Sequence, residues 1–248
     1  MTFRTATATM PDIRRSEFRS LLLGCPGMRV QRDPRGTILS HEGDFADHSM
    51  LLLEGWIGLS KSLPHGDTQI IDIMLPEDFA LIGTQIVPVA ACTVEALDDV
   101  EYILIHPATA NGPSPALARL REIMAAAILT TQSRTSELLL RLGHGNAANR
   151  LAYALLELFV RLEYVGRTAG TTFDFPITQQ KLGEFTGLTN VHVCRTLRRF
   201  ERAGVIAYPD RRSIRLSDTG ALADLAGVDM AILRDEILMR APCPPVAS

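Results

Sequence analysis

The sequence predicts an α+β fold in which an N-terminal all-β domain is joined by one long helix to a C-terminal winged helix-turn-helix. Three observations predict this architecture. They are short apolar runs separated by turn residues, a long uninterrupted amphipathic stretch, and two short helices around a glycine turn followed by a pair of strands. With 248 residues, 46% of them hydrophobic, the chain can bury two modest cores.

The segment 30–105 has the pattern of an all-β domain. Ile57 and Leu59 alternate with polar or small residues, as do Ile71 and Ile73, and the turn sequence Pro-His-Gly-Asp separates the two pairs. Alternation of this kind, repeated between turns, is typical of strands joined by hairpins in a small barrel or sandwich.

A single long helix is predicted from Pro115 to about Leu142, because no Gly or further Pro interrupts this stretch and apolar or small residues recur every three or four positions. The stripe could pack on the chain's own domains, or it could form a short coiled coil between two subunits. Its place between two domains favours the second alternative. The predicted dimerisation residues are Leu117, Leu120, Met124, Ala127, Thr131 and Leu138.

Two glycines, Gly143 and Gly145, are expected to end the long helix, and a second helix is predicted from Asn149 to Tyr164. The next elements are two short helices. Thr178 can cap the first, over Gln179 to about Thr186, and Thr189 can cap the second, over Asn190 to Arg202. Gly and Leu make the turn between them, and the strings VIAY, PDRR and SIRL then predict the two strands and the turn of a wing.

The second short helix has the composition of a DNA-reading helix. At about 100° per residue, its apolar side chains Val193, Leu197 and Phe200 share one face. An arginine can pair with guanine through two hydrogen bonds, and Asn190 can do the same with adenine. Segment 145–216 also carries a net charge of +5, whereas the rest of the chain carries −8. The positive segment is therefore the part of the chain expected to bind a polyanion. The exposed stripe consists of Val191, Arg195, Arg198 and Arg202.

The order of these parts resembles the CRP/FNR superfamily of bacterial transcription regulators, the family of the cyclic-AMP receptor protein and the fumarate/nitrate regulator. The strings SMLLLEGWIGLSKSLPHGDTQIIDIMLPEDF and ITQQKLGEFTGLTNVHVCRTLRRFERAGVI carry the resemblance, which extends over residues 15–222. It implies a double-stranded β-helix sensor of the cyclic-nucleotide-binding type at 15–112, a dimerisation helix at 113–143, a winged helix-turn-helix at 145–222, and a C-terminal helix and tail at 223–248.

The resemblance also implies partners and contacts. The partners are double-stranded DNA with a two-fold symmetric operator, a second copy of the chain and RNA polymerase. Base contacts would fall on Asn190, Val191 and Arg195. Many members have a glutamate where this chain has Val191, which offers only apolar contact to a thymine methyl group. The full set of predicted DNA contacts is Thr178, Gln179, Gln180, Thr189, Asn190, Val191, His192, Arg195, Arg198, Arg199 and Arg212.

The sensor domain departs from the cyclic-nucleotide pattern, in which a Gly-Glu pair and a later Arg hold the cyclic phosphate. Leu81 and Ile82 stand where the Gly-Glu pair should be, and no Arg or Lys occurs between Lys61 and Arg119. Because a phosphate buried without a cation is costly, cyclic AMP is disfavoured.

Other cofactors depend on ligands that the sequence must supply. An iron–sulfur cluster needs about four thiolates, and only Cys25 and Cys92 are available, so this cluster is also disfavoured. Neither a metal nor a cofactor is predicted, and the effector stays unassigned. Haem remains an open alternative, because four histidines could each supply an axial ligand: His41, His48, His65 and His106.

Two other classes of protein compete with a regulator. An oxygenase on a β-helix would need two histidines and a carboxylate, and the stretch with His41, Glu42, Asp44 and His48 is only a weak match. A scaffold protein with a degenerate helix-turn-helix would not be expected to keep three arginines on one exposed stripe. The chain is therefore predicted to be a non-enzymatic, cytoplasmic regulator, because it has neither a long apolar span nor a signal peptide.

Overall fold

Two antiparallel four-stranded sheets form the N-terminal domain in the computed structural model, which describes residues 28–106 and 115–238. The strand orders are β1-β8-β3-β6 and β2-β7-β4-β5. This arrangement confirms the predicted double-stranded β-helix. The strands are β1 (Val30–Asp33), β2 (Ile38–Ser40), β3 (Ser49–Glu54), β4 (Ile57–Ser62), β5 (Thr68–Met74), β6 (Phe79–Leu81), β7 (Thr93–Ala96) and β8 (Val100–Ile105).

The core of this domain follows from strand alternation. In β7, Val94 and Ala96 are buried whereas Thr93 and Glu95 are half-buried, as expected where successive side chains point to opposite faces. The predicted boundaries at residues 15, 112 and 113, Cys25 and the tail 239–248 lie outside the described residues.

Six helices follow among the described residues, and the C-terminal domain adds a small sheet of order β11-β12-β10-β9. No helix in the described ranges is both long and apolar enough to cross a lipid bilayer. The helices are α1 (Pro115–His144), α2 (Ala147–Tyr164), α3 (Gln179–Thr186), α4 (Asn190–Arg202), α5 (Thr219–Ala226) and α6 (Met230–Ile237). The strands are β9 (Thr168–Ala169), β10 (Thr172–Asp174), β11 (Ile206–Ala207) and β12 (Ser213–Leu216).

The junction between α1 and α2 differs by two residues from the prediction. Gly143 lies inside α1, which ends at His144, and α2 begins before Asn149. The physical reason is a cap that the pattern did not reveal: the Asn146 side chain accepts a hydrogen bond of 3.0 Å from the backbone N–H of Asn149.

The inner face of α1 packs on the chain itself, and this corrects the predicted dimerisation seam. Leu117 and Leu120 are buried against β3 and β8, and Leu138 is buried in the core around α2. The large apolar side chains that α1 leaves exposed lie one or two residues beyond Ala127 and Leu138, which is about 100–200° around the helix. They are Ile128, Leu129, Leu139 and Leu140.

A continuous core joins the sensor domain to the C-terminal domain. Trp56 of the sensor meets Phe175 of the C-terminal domain edge to face, with ring centroids 6.2 Å apart, and Ile70 and Leu97 belong to the same buried cluster. Gln69 also donates a hydrogen bond of 3.1 Å to the carbonyl of Phe185 in α3. The C-terminal domain, the head, is therefore docked on the sensor domain of the same chain.

A buried ionic cluster lies where β5, α1 and α2 meet. Arg134 of α1 donates to Asp72 at 2.6 Å, and Arg161 of α2 pairs with Asp78 and, at 2.9 Å, with Glu157. Burial raises the pKa of Glu157 despite the opposing effect of Arg161. Burial would also raise the pKa of Asp78, but the guanidinium groups of Arg161 and Arg134 hold it below its usual value.

Candidate DNA-binding surface

Helices α3 and α4 form the helix-turn-helix with the predicted caps. The Thr178 hydroxyl accepts a hydrogen bond of 3.1 Å from the backbone N–H of Lys181, and Thr189 caps α4 in the same way. Gly187 ends α3 in the left-handed region, at φ 64°. At Gly183 a Cβ would lie 2.5 Å from the Leu188 carbonyl oxygen, so only glycine allows the two helices to approach this closely.

The two faces of α4 are sharply different. Val193, Leu197 and Phe200 are at most 3% exposed and pack in the core of the domain. On the opposite side Val191 is 65% exposed. The predicted orientation of α4 is confirmed, because its polar face is turned away from the chain.

Three arginines of α4 are available to a partner. Within the described parts of the chain, Arg195, Arg198 and Arg199 form no ion pair, whereas nearby Lys181 is held by Glu95 at 2.6 Å. Exposed guanidinium groups without an internal counterion provide the charge that phosphates require and the donors that base edges accept.

All eleven predicted contact residues are exposed. Some are held by local hydrogen bonds, such as Gln180 with Glu184 at 3.0 Å and Thr189 with the ring of His192 at 3.1 Å. A shallow concave patch brings several of them together and adds two residues that the predicted contact set omitted, Cys194 and Arg202. The patch is lined by Gln179, Asn190, Val191, Cys194, Arg195, Arg198 and Arg202.

The wing consists of β11 and β12, which pair antiparallel with Ile206 opposite Leu216. Arg212 lies in the turn between them, where its backbone N–H donates to Asp210 at 2.7 Å. Its guanidinium is 61% exposed and donates to Asp98 of the sensor domain. The predicted phosphate contact is thus on the surface but paired within the chain.

A small cavity of about 240 Å³ lies between the sensor sheets and α1. Three of the residues predicted for dimerisation, Met124, Ala127 and Thr131, line it together with Ile128 of the same helix. No charged side chain is among its lining residues in the described chain. The sensor side of the lining is Ser49, Leu59, Ile71, Phe79, Ala80, Leu81, Ala91 and Cys92.

Comparisons with known proteins agree with this architecture. Residues 30–109 match the model of the cyclic nucleotide-binding domain, and residues 149–225 match that of the Crp-like helix-turn-helix domain. The solved structure of FixK2 from Bradyrhizobium japonicum superposes with a TM-score of 0.70 over 80% of this chain and 96% of that one, at 22% identity, which shows the shared fold.

Curated relatives are similar over most of their length. The nitrogen fixation regulation protein FixK of Bradyrhizobium diazoefficiens is 30% identical over 184 residues, which are 73% of this chain and 75% of that protein. The transcriptional activator protein FnrL of Cereibacter sphaeroides is 25% identical over 198 residues, 78% of this chain and 79% of that one. These relatives are transcription regulators and not enzymes. Together with the sensor, the long helix and the helix-turn-helix, they show that the chain belongs to the CRP/FNR family of transcription regulators.

Proposed function

We propose that the chain binds a two-fold symmetric operator as a homodimer, with α4 in the major groove. The observation that carries the proposal is the stripe of exposed arginines on α4, which lacks counterions among the described residues although other basic groups of the same domain are paired. Recognition helices place their N-terminal residues against base edges, and α4 begins at Asn190.

Individual contacts follow from side-chain chemistry. Arg195 is suited to guanine O6 and N7, Asn190 to adenine, and Val191 to the methyl group of thymine. Thr189, His192 and Arg198 would lie near phosphates, which fix the register without reading sequence.

The dimer is proposed to form through the exposed face of α1. Ile128 and Leu139 are 50% and 70% exposed, and with the polar residues Gln132 and Thr135 between them they follow the three-and-four spacing of one helix face. Burying Ile128 and Leu139 against a second copy would remove two large apolar side chains from water.

The effector is proposed to be a small uncharged molecule that enters the cavity between the sensor and α1. The lining has no cation for a cyclic phosphate, so cyclic AMP would be buried without a partner for its charge. Because α1 forms one wall of the cavity, a bound effector would act on both the proposed dimer contact and the head docked on the sensor. FnrL is named an activator, and we propose that this chain also activates, by contact with RNA polymerase.

Selection from random duplexes with the purified full chain tests the proposal. The expected result is a palindromic consensus whose half-sites are one helical turn apart, about 34–36 Å, with light scattering showing two chains per duplex. Enrichment of a single asymmetric site bound by one chain would contradict the dimeric arrangement. No enrichment at all would contradict base reading by α4.

A further inference from the structure

Two histidines and an aspartate meet at one end of the sensor domain, away from the DNA-binding surface. Strands β3 and β8 pair antiparallel with Ser49 opposite Ile105. One step beyond this pair the chain places His48 beside His106, with ring centroids 5.7 Å apart. Asp47 precedes His48 directly, so the sheet register gathers three metal-ligand side chains from positions far apart in the sequence.

Their distances suit a metal ion. The Nδ1 atom of His106 lies 3.2 Å from Asp47 Oδ1, and the Nδ1 atom of His48 lies 3.9 Å from the same oxygen. One ligand atom from each side chain falls within 4.8 Å of the other two. Ligands about 2.0–2.1 Å from a tetrahedral ion are roughly 3.4 Å apart, so a small adjustment of two side chains is enough.

The backbone that carries these ligands is fixed before any ion arrives. The His48 carbonyl accepts a hydrogen bond of 3.1 Å from Gly83, and a Cβ at Gly83 would lie 1.8 Å from the Ala46 carbonyl oxygen. Ala46 in turn donates to the Pro88 carbonyl at 3.1 Å. A rigid support of this kind lowers the cost of ordering the ligands upon binding.

We propose that Asp47, His48 and His106 bind a divalent ion of the first transition row, such as Zn²⁺. Imidazole nitrogen suits zinc, iron, nickel and copper, and three protein ligands leave at least one coordination position open. His106 is half-exposed, so the ion can enter from solvent. The site goes beyond DNA binding, because it shares no residue with the proposed operator contacts or with the cavity beneath α1.

Metal titration of the untagged full chain, after removal of bound metal with a chelator, tests the site. Equilibrium dialysis with Zn²⁺ should give one ion per chain, and Co²⁺ should develop visible absorption bands. His48→Gln and His106→Gln should each weaken Zn²⁺ binding by at least about tenfold, and Asp47→Asn should do so with little change in side-chain shape.

His65→Gln is the matched control. His65 also lies 3.0 Å from an aspartate, Asp67, but the two have no third ligand among the described residues. This variant should bind Zn²⁺ as the unmodified chain does. Absence of the cobalt bands, or Zn²⁺ affinity unchanged in both His48→Gln and His106→Gln, would overturn the proposal. Circular dichroism establishes that each variant is folded.

Discussion

The guanidinium of Arg212, in the turn of the wing, donates a hydrogen bond of 2.6 Å to Asp98 of the sensor domain. The cation expected to meet a DNA phosphate is thus held by an acid of its own chain. Because one guanidinium cannot pair fully with both, we expect Asp98 to compete with a DNA phosphate for Arg212.

Asp98→Ala should strengthen DNA binding. Exposed ion pairs of this kind are worth about 0.2–1 kcal/mol, so affinity for non-specific duplex should rise by a factor of about 1.4 to 5, and the slope of log affinity against log salt should steepen by about one. Glu42→Ala, which removes the same charge from a pair with Lys61, is the control. Equal effects of both variants would point to net charge and not to release of Arg212.

Arg195→Ala should cost about 1–3 kcal/mol on the specific operator and flatten the preference at one base pair in each half-site, because a two-point contact with guanine carries sequence information. Arg212→Ala should instead weaken specific and non-specific binding together. Binding to single-base operator variants across a salt series separates the two. Arg234→Ala, which removes an arginine of α6 that pairs with Glu163 of α2, should change neither. Unaltered base preferences in Arg195→Ala would show that α4 is not the reading helix.

Leu139→Glu should convert the dimer to a monomer without unfolding it. A charge buried at the proposed subunit contact without a partner is strongly unfavourable, whereas in the single chain this side chain already faces water. The control is Leu63→Glu, at an exposed leucine of the sensor domain. This variant should stay dimeric. Light scattering measures the mass. A Leu139→Glu chain that remains dimeric would place the interface elsewhere.

Calorimetry with cyclic AMP should show no saturable heat even at millimolar nucleotide, because the cavity offers the phosphate no cation. Saturable binding in the micromolar range would overturn this view of the sensor.

The buried ionic cluster should respond oppositely to two isosteric changes. Asp78→Asn should lower the free energy of unfolding at pH 7 by about 1.5–3 kcal/mol, because the depressed pKa of Asp78 favours its charged form in the folded chain. Glu157→Gln should be neutral or stabilising, because burial raises the pKa of Glu157, so that its charge opposes folding, and Arg161 keeps its pair with Asp78.

The pH dependence of the two variants follows from the same shifts. The stability owed to Asp78 is present above its unfolded pKa of about 4 and is lost as the pH falls through its lower folded value. Glu157 opposes folding increasingly as the pH rises above its own unfolded value. Urea unfolding at several pH values tests both, and a loss of stability in Glu157→Gln at pH 7 that equals that of Asp78→Asn would contradict these assignments.

Local chemistry explains why the helix-turn-helix could be predicted from sequence. Thr178, Thr189 and Gly187 act on backbone groups within a few residues, so their pattern fixes where helices begin and end. The buried face of α1 could not be predicted in this way. Neighbours such as Leu138 and Leu139 are both apolar, and only tertiary packing decides which of the two is buried.

Pairings across long sequence distances could not be predicted. Nothing near Arg212 in the sequence indicates Asp98, and the stretch around His48 does not reveal His106 on a strand that pairs with β3. The sequence offers His48 and His106 only as separate histidines, whereas the register of β3 and β8 brings them together beside Asp47.

The apolar contact between sensor and head gives the regulator a thermal property. Any movement that separates the head from the sensor exposes Trp56, Phe175, Ile70 and Leu97 to water. Exposure of apolar surface raises the heat capacity. The free-energy difference between docked and released heads would therefore depend on temperature along a curve and not a straight line. The same operator would then be occupied to different extents in cold and warm cells, even at constant effector concentration.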